Sequence, residues 1–173
     1  CNPHNPVGHV WTAEEMDRLF SICQQHKVLI ISDEIHQDLI TGLTPFTSAL
    51  TVSKGAYTDR LIAMSSLSKS FNIASLHHAE VIIPDEELRN HYNAFKALVY
   101  HTDSDVLAEA AITAAYTHPE AEAWLTDLLN VVKENYDYMC NKLLANLPEL
   151  RISPMDGTYL AWIDFSAYLK PEE

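Results

Sequence analysis

One lysine surrounded by serine hydroxyls is the feature of this sequence with the clearest capacity for chemistry. Lys69 lies in the segment 64–73, just after the apolar run 61–64 and among four serines. Serine hydroxyls can bind an anion, and the neighbouring Leu67 and Phe71 would withdraw part of the lysine from water. Burial disfavours the charged ammonium form and leaves the amine able to act as a nucleophile or a base. The pattern indicates a reactive amine beside an anion site, with a solvated surface lysine as the alternative.

Two other short motifs carry polar groups that could act with this lysine. The first is the loop 2–8, in which proline and glycine fix the backbone shape around Asn5. The second, Asp33-Glu34-Ile35-His36, follows the apolar segment 28–31. That segment predicts a strand buried on both faces of a parallel sheet, where ligand groups lie at the carboxyl ends of strands. The run 61–65 predicts the next strand, which ends just before Lys69.

Taken in order, the motifs Asn-Pro-x-Gly, Asp-x-x-His and Ser-x-Ser-Lys give the chain a family resemblance. It resembles the fold-type I pyridoxal-phosphate enzymes over all 173 residues, and most closely the branch of cystathionine β-lyases and other C–S lyases. That branch lies beside the class I/II aminotransferases. The resemblance implies an α/β fold. Its major domain would be that of a pyridoxal-phosphate-dependent transferase, a mostly parallel sheet with flanking helices, followed by the start of a small α+β C-terminal domain.

The resemblance also implies a role for each polar group around pyridoxal 5′-phosphate. Lys69 would form the Schiff base and, once displaced by the substrate amine, remove the Cα proton. Asp33 would hold the pyridine nitrogen protonated, and Asn5 and His36 would donate to the 3′ oxygen. Ser66 and Ser68 would bind the phosphate.

The sequence departs from the family pattern at the phosphate end of the expected site. His77 stands eight positions after Lys69, where relatives similar to aspartate aminotransferase have a phosphate-binding arginine. Ala-Ser-Leu at 74–76 stands where the branch often has Ala-Gly-Leu. The phosphate loop of the family belongs upstream of Cys1. His77 is therefore a candidate phosphate ligand on the resemblance alone.

Periodicity and capping signals predict the elements around these motifs. Thr12 and Glu15 form a capping box at the start of a helix over 13–26, and Asp85 can cap another helix. Further predicted elements are a strand over 79–83, helices over 106–116 and 119–145, and strands over 151–153 and 158–165. The inward face of the long helix is predicted to be Trp124, Leu128, Val131 and Tyr138. The apolar face predicted for the helix after Asp85 is Leu88, Tyr92, Phe95 and Val99.

These elements suggest three parts. We expect residues 1–118 to belong to the large cofactor-binding domain, 119–147 to form an interdomain helix and 148–173 to begin the small domain. The resembled enzymes are about twice as long, so we interpret the chain as the central portion of a larger protein and expect the isolated fragment to be inactive. The resemblance also implies that the whole protein is a homodimer. Residues 100–105 correspond to the segment with which relatives contact the other subunit.

Composition limits the kinds of partner and the compartment that we expect for the protein. The formal net charge is −13, which argues against nucleic acid and anionic membrane surfaces. No apolar run has the length of a membrane span. Three widely spaced cysteines without a Cys-x-x-Cys motif are typical of a reducing cytoplasm.

The function that the resemblance implies is α,β-elimination of a small sulfur amino acid to thiol, pyruvate and ammonia. Transamination is the first alternative, and the second is an inactive fragment or a regulatory protein that uses the fold to bind a partner. A metal site at Asp33, His36 and Asp38, or at His77, His78 and Glu80, lacks any metal-binding helix pattern, and we expect none. A Ser-Lys hydrolase using Ser66 and Lys69 lacks its companion motifs.

Overall fold

A three-stranded sheet positions the two polar motifs. The computed structural model describes residues 1–99 and 105–169, and its strands are β1 (Ile30–Asp33), β2 (Leu61–Ser65) and β3 (Glu80–Ile82) in the order β1-β2-β3. β1 and β2 run parallel, with Ile30 opposite Leu61 and Asp33 opposite Met64. β3 is antiparallel to β2. The parallel pairing brings the carboxyl ends of β1 and β2 to the same edge, as the sequence predicted.

Helix α1 (Ala13–Gln25) covers one face of this sheet. Its capping box is present: the Glu15 N–H donates to Thr12 Oγ1 at 3.2 Å, and Thr12 N–H donates to Glu15 Oε2 at 2.8 Å. Both interactions satisfy N–H groups that a helix start leaves unpaired. Met16 and Phe20 are buried against Ile30 and Leu61 at the sheet, together with Ala49, Val52 and Tyr57. This cluster is the apolar core beneath β1 and β2.

The remaining helices begin and end close to their predicted bounds. They are α2 (Glu86–Leu98), capped by Asp85, α3 (Val106–Thr117), capped by Asp105, and α4 (Ala121–Asn146). Short 3₁₀ turns at Ala49–Gly55, Thr58–Arg60 and Ala74–Leu76 make up part of the connections. No helix in the described part of the chain is long and apolar enough to cross a membrane.

Three burial predictions were wrong. Of the predicted inward face of α4, Trp124, Val131 and Tyr138 are each about half exposed or more. On the predicted face of α2, Phe95 is 65 % exposed and Val99, just past its end, 55 %. Ile31 in β1 is 59 % exposed, so this strand is buried on one face only. The periodicity identified apolar faces correctly, but the described residues cover them only in part; Phe71, for example, stacks on Trp124 with ring centroids 5.5 Å apart.

The C-terminal segment contacts the loops that follow β1. Only β4 (Arg151–Ile152) and β5 (Ile163–Asp164) form the predicted second pair of strands. The predicted strand over 158–165 is wrong in its first half, because Gly157 bridges to Ile40 and the Thr158 N–H donates to Leu39 O at 2.8 Å. Residues 100–104, most of the segment expected to reach another subunit, and 170–173 lie outside the described residues.

Candidate functional site

The site is built on the carboxyl end of β1. Asp33 is the last residue of this strand and is half-buried. Its Oδ1 accepts a hydrogen bond from the Ile35 N–H at 3.1 Å, which fixes the carboxylate at the strand end. The Glu34 N–H donates to Met64 O at 2.7 Å, so the pairing with β2 continues one residue beyond Asp33.

His36 is the most unusual polar residue at this edge. It is only 2 % exposed, and neither ring nitrogen has a hydrogen-bond partner among the described residues. Tyr159 packs edge-on against the ring, with centroids 5.6 Å apart. Burial lowers the pKa of His36; the Asp33 carboxylate opposes this shift and the Lys69 ammonium adds to it. His36 is therefore a neutral imidazole with an unsatisfied N–H, close enough to Asp33 and Lys69 to respond to both charges.

Lys69 lies on a tight turn that follows β2. The Phe71 N–H donates to Leu67 O at 3.0 Å, and the Ile73 N–H donates to Ser68 O at 3.1 Å. Leu67 is buried, whereas Lys69 and Ser68 are half-buried. The lysine thus leaves a well-defined turn at the same sheet edge as Asp33, with part of its side chain withdrawn from water.

Ser66 serves the backbone of this turn. Its side chain is buried, and Oγ donates to His78 O at 2.7 Å and accepts from the Ser68 N–H at 3.1 Å. Both partners are main-chain groups rather than the amine of Lys69. This geometry argues against the Ser-Lys hydrolase alternative, in which the lysine must activate the serine.

Asn2 attaches the Asn-Pro loop to the site. The Asn2 N–H donates to Asp33 O at 2.9 Å, and its buried side chain accepts from the Trp11 N–H and donates to Thr47 O, each at 3.0 Å. Asn5 is exposed at the tip of the loop. The structure places the loop beside Asp33, and sequence reasoning missed the residue that attaches it.

Glu34 is a second residue that sequence reasoning missed. It is 3 % exposed, and its carboxylate accepts from Ser32 Oγ at 3.0 Å, Ser48 Oγ at 2.7 Å and the Ala49 N–H at 2.8 Å. These bonds tie the end of β1 to the connection before β2. The only hint in the sequence was a glutamate directly after Asp33, and no local pattern predicted which groups it would bind.

His77 is the most exposed of the phosphate candidates. His77 is exposed at the end of a short 3₁₀ turn, in the left-handed region with φ 49°. The neighbouring His78 ring contacts Glu80 across 3.3 Å between Nε2 and Oε1. Within 1–99 and 105–169, no three His, Cys, Asp or Glu side chains come together as metal ligands would.

Comparison with known proteins identifies the family. The family model for class I and II aminotransferases matches residues 1–172. The chain belongs to this family. It is 35 % identical over 171 residues to cystathionine beta-lyase PatB of Bacillus subtilis, and 38 % identical over 165 residues to Protein MalY of Escherichia coli.

A solved structure extends the comparison to the fold. The pyridoxal-phosphate-bound C-S lyase of Staphylococcus hominis superimposes with a TM-score of 0.87 at 34 % identity, over 96 % of this chain and 41 % of that one. The chain therefore has the fold of these pyridoxal-phosphate-dependent enzymes, as its motifs predicted. PatB and MalY are matched over 97 % and 95 % of this chain, which spans 43 % and 41 % of their lengths.

Proposed function

We propose that the protein carries pyridoxal 5′-phosphate on Lys69 and catalyses α,β-elimination of a small sulfur amino acid, releasing thiol, pyruvate and ammonia. The observation that carries this proposal is the buried imidazole of His36, which has no hydrogen-bond partner among residues 1–99 and 105–169 and is influenced by the charges of both Asp33 and Lys69. An acid, a neutral hydrogen-bond donor and an amine are the groups this cofactor needs around its ring. The names of PatB and of the Staphylococcus hominis C-S lyase support the lyase chemistry.

The residues of the site fit the cofactor. Asp33 would hold the pyridine nitrogen protonated. The His36 N–H would donate to the 3′ oxygen, which gives a physical reason for burying an imidazole that has no partner in the part of the chain that the structure describes. Asn5 remains our second proposed donor to that oxygen, and its exposure leaves it free to approach a ligand. Ser66, Ser68 and His77 are proposed for the phosphate. Ser66 Oγ would have to release His78 O before it could donate to a phosphate oxygen, whereas Ser68 is the more exposed of the two serines.

The chemistry depends on what Lys69 does once the substrate amine has displaced it. When bound, the cofactor acts as an electron sink for the carbanion at the substrate Cα. Lys69 Nζ would take the Cα proton, and the same ammonium would then lie near enough to assist departure of the thiolate from Cβ. Burial lowers the pKa of His36, which favours the neutral imidazole, and this suits it to donate a hydrogen bond rather than to take the proton.

Transamination is the alternative within the family. Both reactions begin with removal of the Cα proton, and they part only in whether the β substituent leaves or a proton returns to the cofactor carbon. The family model, which is named for aminotransferases, favours keeping this alternative. The third reading is a protein that does not catalyse and uses the fold to bind a partner.

Three proposals about the whole protein follow. We propose a homodimer, since the exposed apolar residues of α2 would be covered in an assembly. We propose a cytoplasmic location, which the free thiols of Cys1, Cys23 and Cys140 support. We propose that residues 1–118 belong to the large domain, 119–147 to an interdomain helix and 148–173 to the start of the small domain.

An absorption experiment with two variants tests the cofactor assignment. Pyridoxal phosphate is added to the protein expressed from its complete gene, excess is removed, and the visible spectrum is recorded beside Lys69→Ala and the control Lys54→Ala. We expect a visible band in the wild type and in Lys54→Ala, and none in Lys69→Ala. A band that survives in Lys69→Ala would refute the assignment. Pyruvate released from cystathionine without a keto-acid acceptor would then identify the lyase, whereas dependence on that acceptor would identify the transaminase.

A further inference from the structure

A hydrogen bond with a fully buried donor joins the two turns that carry the candidate catalytic groups. Ser70, the residue after Lys69, is 0 % exposed, and its Oγ donates to Asp38 Oδ2 at 2.8 Å. Asp38 lies two residues after His36 and five after Asp33. A serine hydroxyl has one proton to donate. In Ser70 that proton is committed to Asp38, across 32 residues of sequence.

Both ends of this bond belong to rigid turns. On one side, the Gln37 N–H donates to Glu34 O and the Leu39 N–H donates to His36 O, each at 2.9 Å. Leu39 itself is fully buried and fixes this turn in the interior. On the other side, the turn that carries Lys69 is closed by its own hydrogen bonds, described above. A bond between two stiff turns fixes their separation in a way that a bond between mobile loops does not.

Asp38 provides a charged acceptor for this bond. Its carboxylate and that of Glu80 contribute to raising the pKa of Tyr116, after the larger effect of burial. Hydrogen bonds to an ionised acceptor are shorter and stronger than those between neutral groups. The pair thus has the properties expected of a fixed connection between the Asp33–His36 turn and the Lys69 turn.

We propose that Asp38 and Ser70 are positioning residues that set the placement of Lys69 Nζ relative to Asp33 and His36. The inference rests on the proposed function and deepens it: Asp38 and Ser70 touch neither substrate nor cofactor and act through the turn that carries Lys69. Loss of the bond would leave the half-buried Asp38 carboxylate without this donor and let the Lys69 turn shift. A displacement of about 1 Å can cost on the order of 100-fold in a reaction that depends on alignment.

The test measures covalent attachment rather than turnover. The rate at which the visible band forms on adding pyridoxal phosphate, and the pH midpoint of that band, are recorded for the full-length protein and for Ser70→Ala. Attachment to Ser70→Ala is expected to be roughly 10- to 100-fold slower, with a displaced pH midpoint. Asp38→Asn keeps an acceptor oxygen and should stay much nearer the wild type. Ser21→Ala, which removes a hydroxyl on α1, is the matched control and should match the wild type.

A double variant separates positioning from folding. Ser70→Ala/Asp38→Leu removes donor and acceptor together, so neither partner is left without the other and stability is largely kept. If it unfolds at the wild-type temperature and still attaches the cofactor slowly, the positioning role is supported. Wild-type attachment rates and pH midpoints in Ser70→Ala or in the double variant would overturn it. A wild type without a band would instead overturn the proposed function itself.

Discussion

Glu34 offers the sharpest prediction about how the site is held in place. Its carboxylate accepts three hydrogen bonds, from Ser32, Ser48 and Ala49, and the side chain is almost fully buried. A hydrogen bond to a charged acceptor contributes roughly 1.5 kcal/mol or more, so Glu34→Ala should lower the free energy of unfolding by about 4–5 kcal/mol. The substitution leaves two buried donors, Ser32 Oγ and the Ala49 N–H, and the half-buried Ser48 Oγ without their acceptor.

Glu34→Gln tests the same reasoning more finely. Oε1 accepts two of the three bonds and Oε2 accepts the third from Ser48. A glutamine oxygen can keep the first two, so only the bond to Ser48 and the charge are lost, at about 1–2 kcal/mol. The exposed Glu14 on α1 provides the control, since Glu14→Gln should cost only a few tenths of a kcal/mol.

Urea unfolding followed by tryptophan fluorescence and circular dichroism measures these differences from the midpoints and slopes. The order of stability should be wild type, then Glu14→Gln, Glu34→Gln and Glu34→Ala. Equal stability of the Gln and Ala variants, or a loss below about 1 kcal/mol for Glu34→Ala, would refute the claim that this carboxylate fastens β1 to the following connection.

Three further outcomes are expected. Burial lowers the pKa of His36, so as the pH falls below about 6.5 the unfolded chain binds that proton before the folded chain does. The free energy of unfolding should therefore be highest above this pH and fall below it. His36→Gln should flatten this acid-side decrease, whereas His77→Gln at an exposed position should not. Asp33→Asn removes the one charge that opposes this shift, so an NMR titration should show a still lower pKa for His36, and an unchanged value would contradict the contact. Gly157→Ala places a Cβ 2.7–2.9 Å from Pro3 and Val10 and should cost about 1–3 kcal/mol in unfolding free energy; a loss below about 0.5 kcal/mol would show that the packing around Gly157 yields.

Local chemistry made much of the fold readable from the sequence. The Thr12–Glu15 capping box and the Asp85 cap mark helix starts through bonds made within three residues, and both were predicted and found. The two apolar runs before Asp33 and Lys69 form adjacent parallel strands, which is why both motifs reach one sheet edge. Sequence order and strand pairing therefore suffice to bring Asp33, His36 and Lys69 together.

What the sequence could not predict depends on partners far away along the chain. Ser70 and Asp38 are 32 residues apart, and Asp156 donates its N–H to Gly8 O at 3.0 Å across an even longer interval. No local sequence pattern predicts such long-range hydrogen bonds. The predictions of burial were wrong for a related reason. The positions of Trp124 and Ile31 in the sequence predict apolar faces, but only the tertiary structure decides whether other residues cover those faces.

The most direct test of the central claim is to trap the cofactor on its lysine. The full-length protein is incubated with pyridoxal phosphate, reduced with borohydride and digested, and the modified peptide is sequenced by mass spectrometry. The account predicts one phosphopyridoxyl group, on Lys69 in the peptide that contains Ser68 and Ser70. Modification confined to another lysine, or none at all under conditions where the protein is folded, would contradict it.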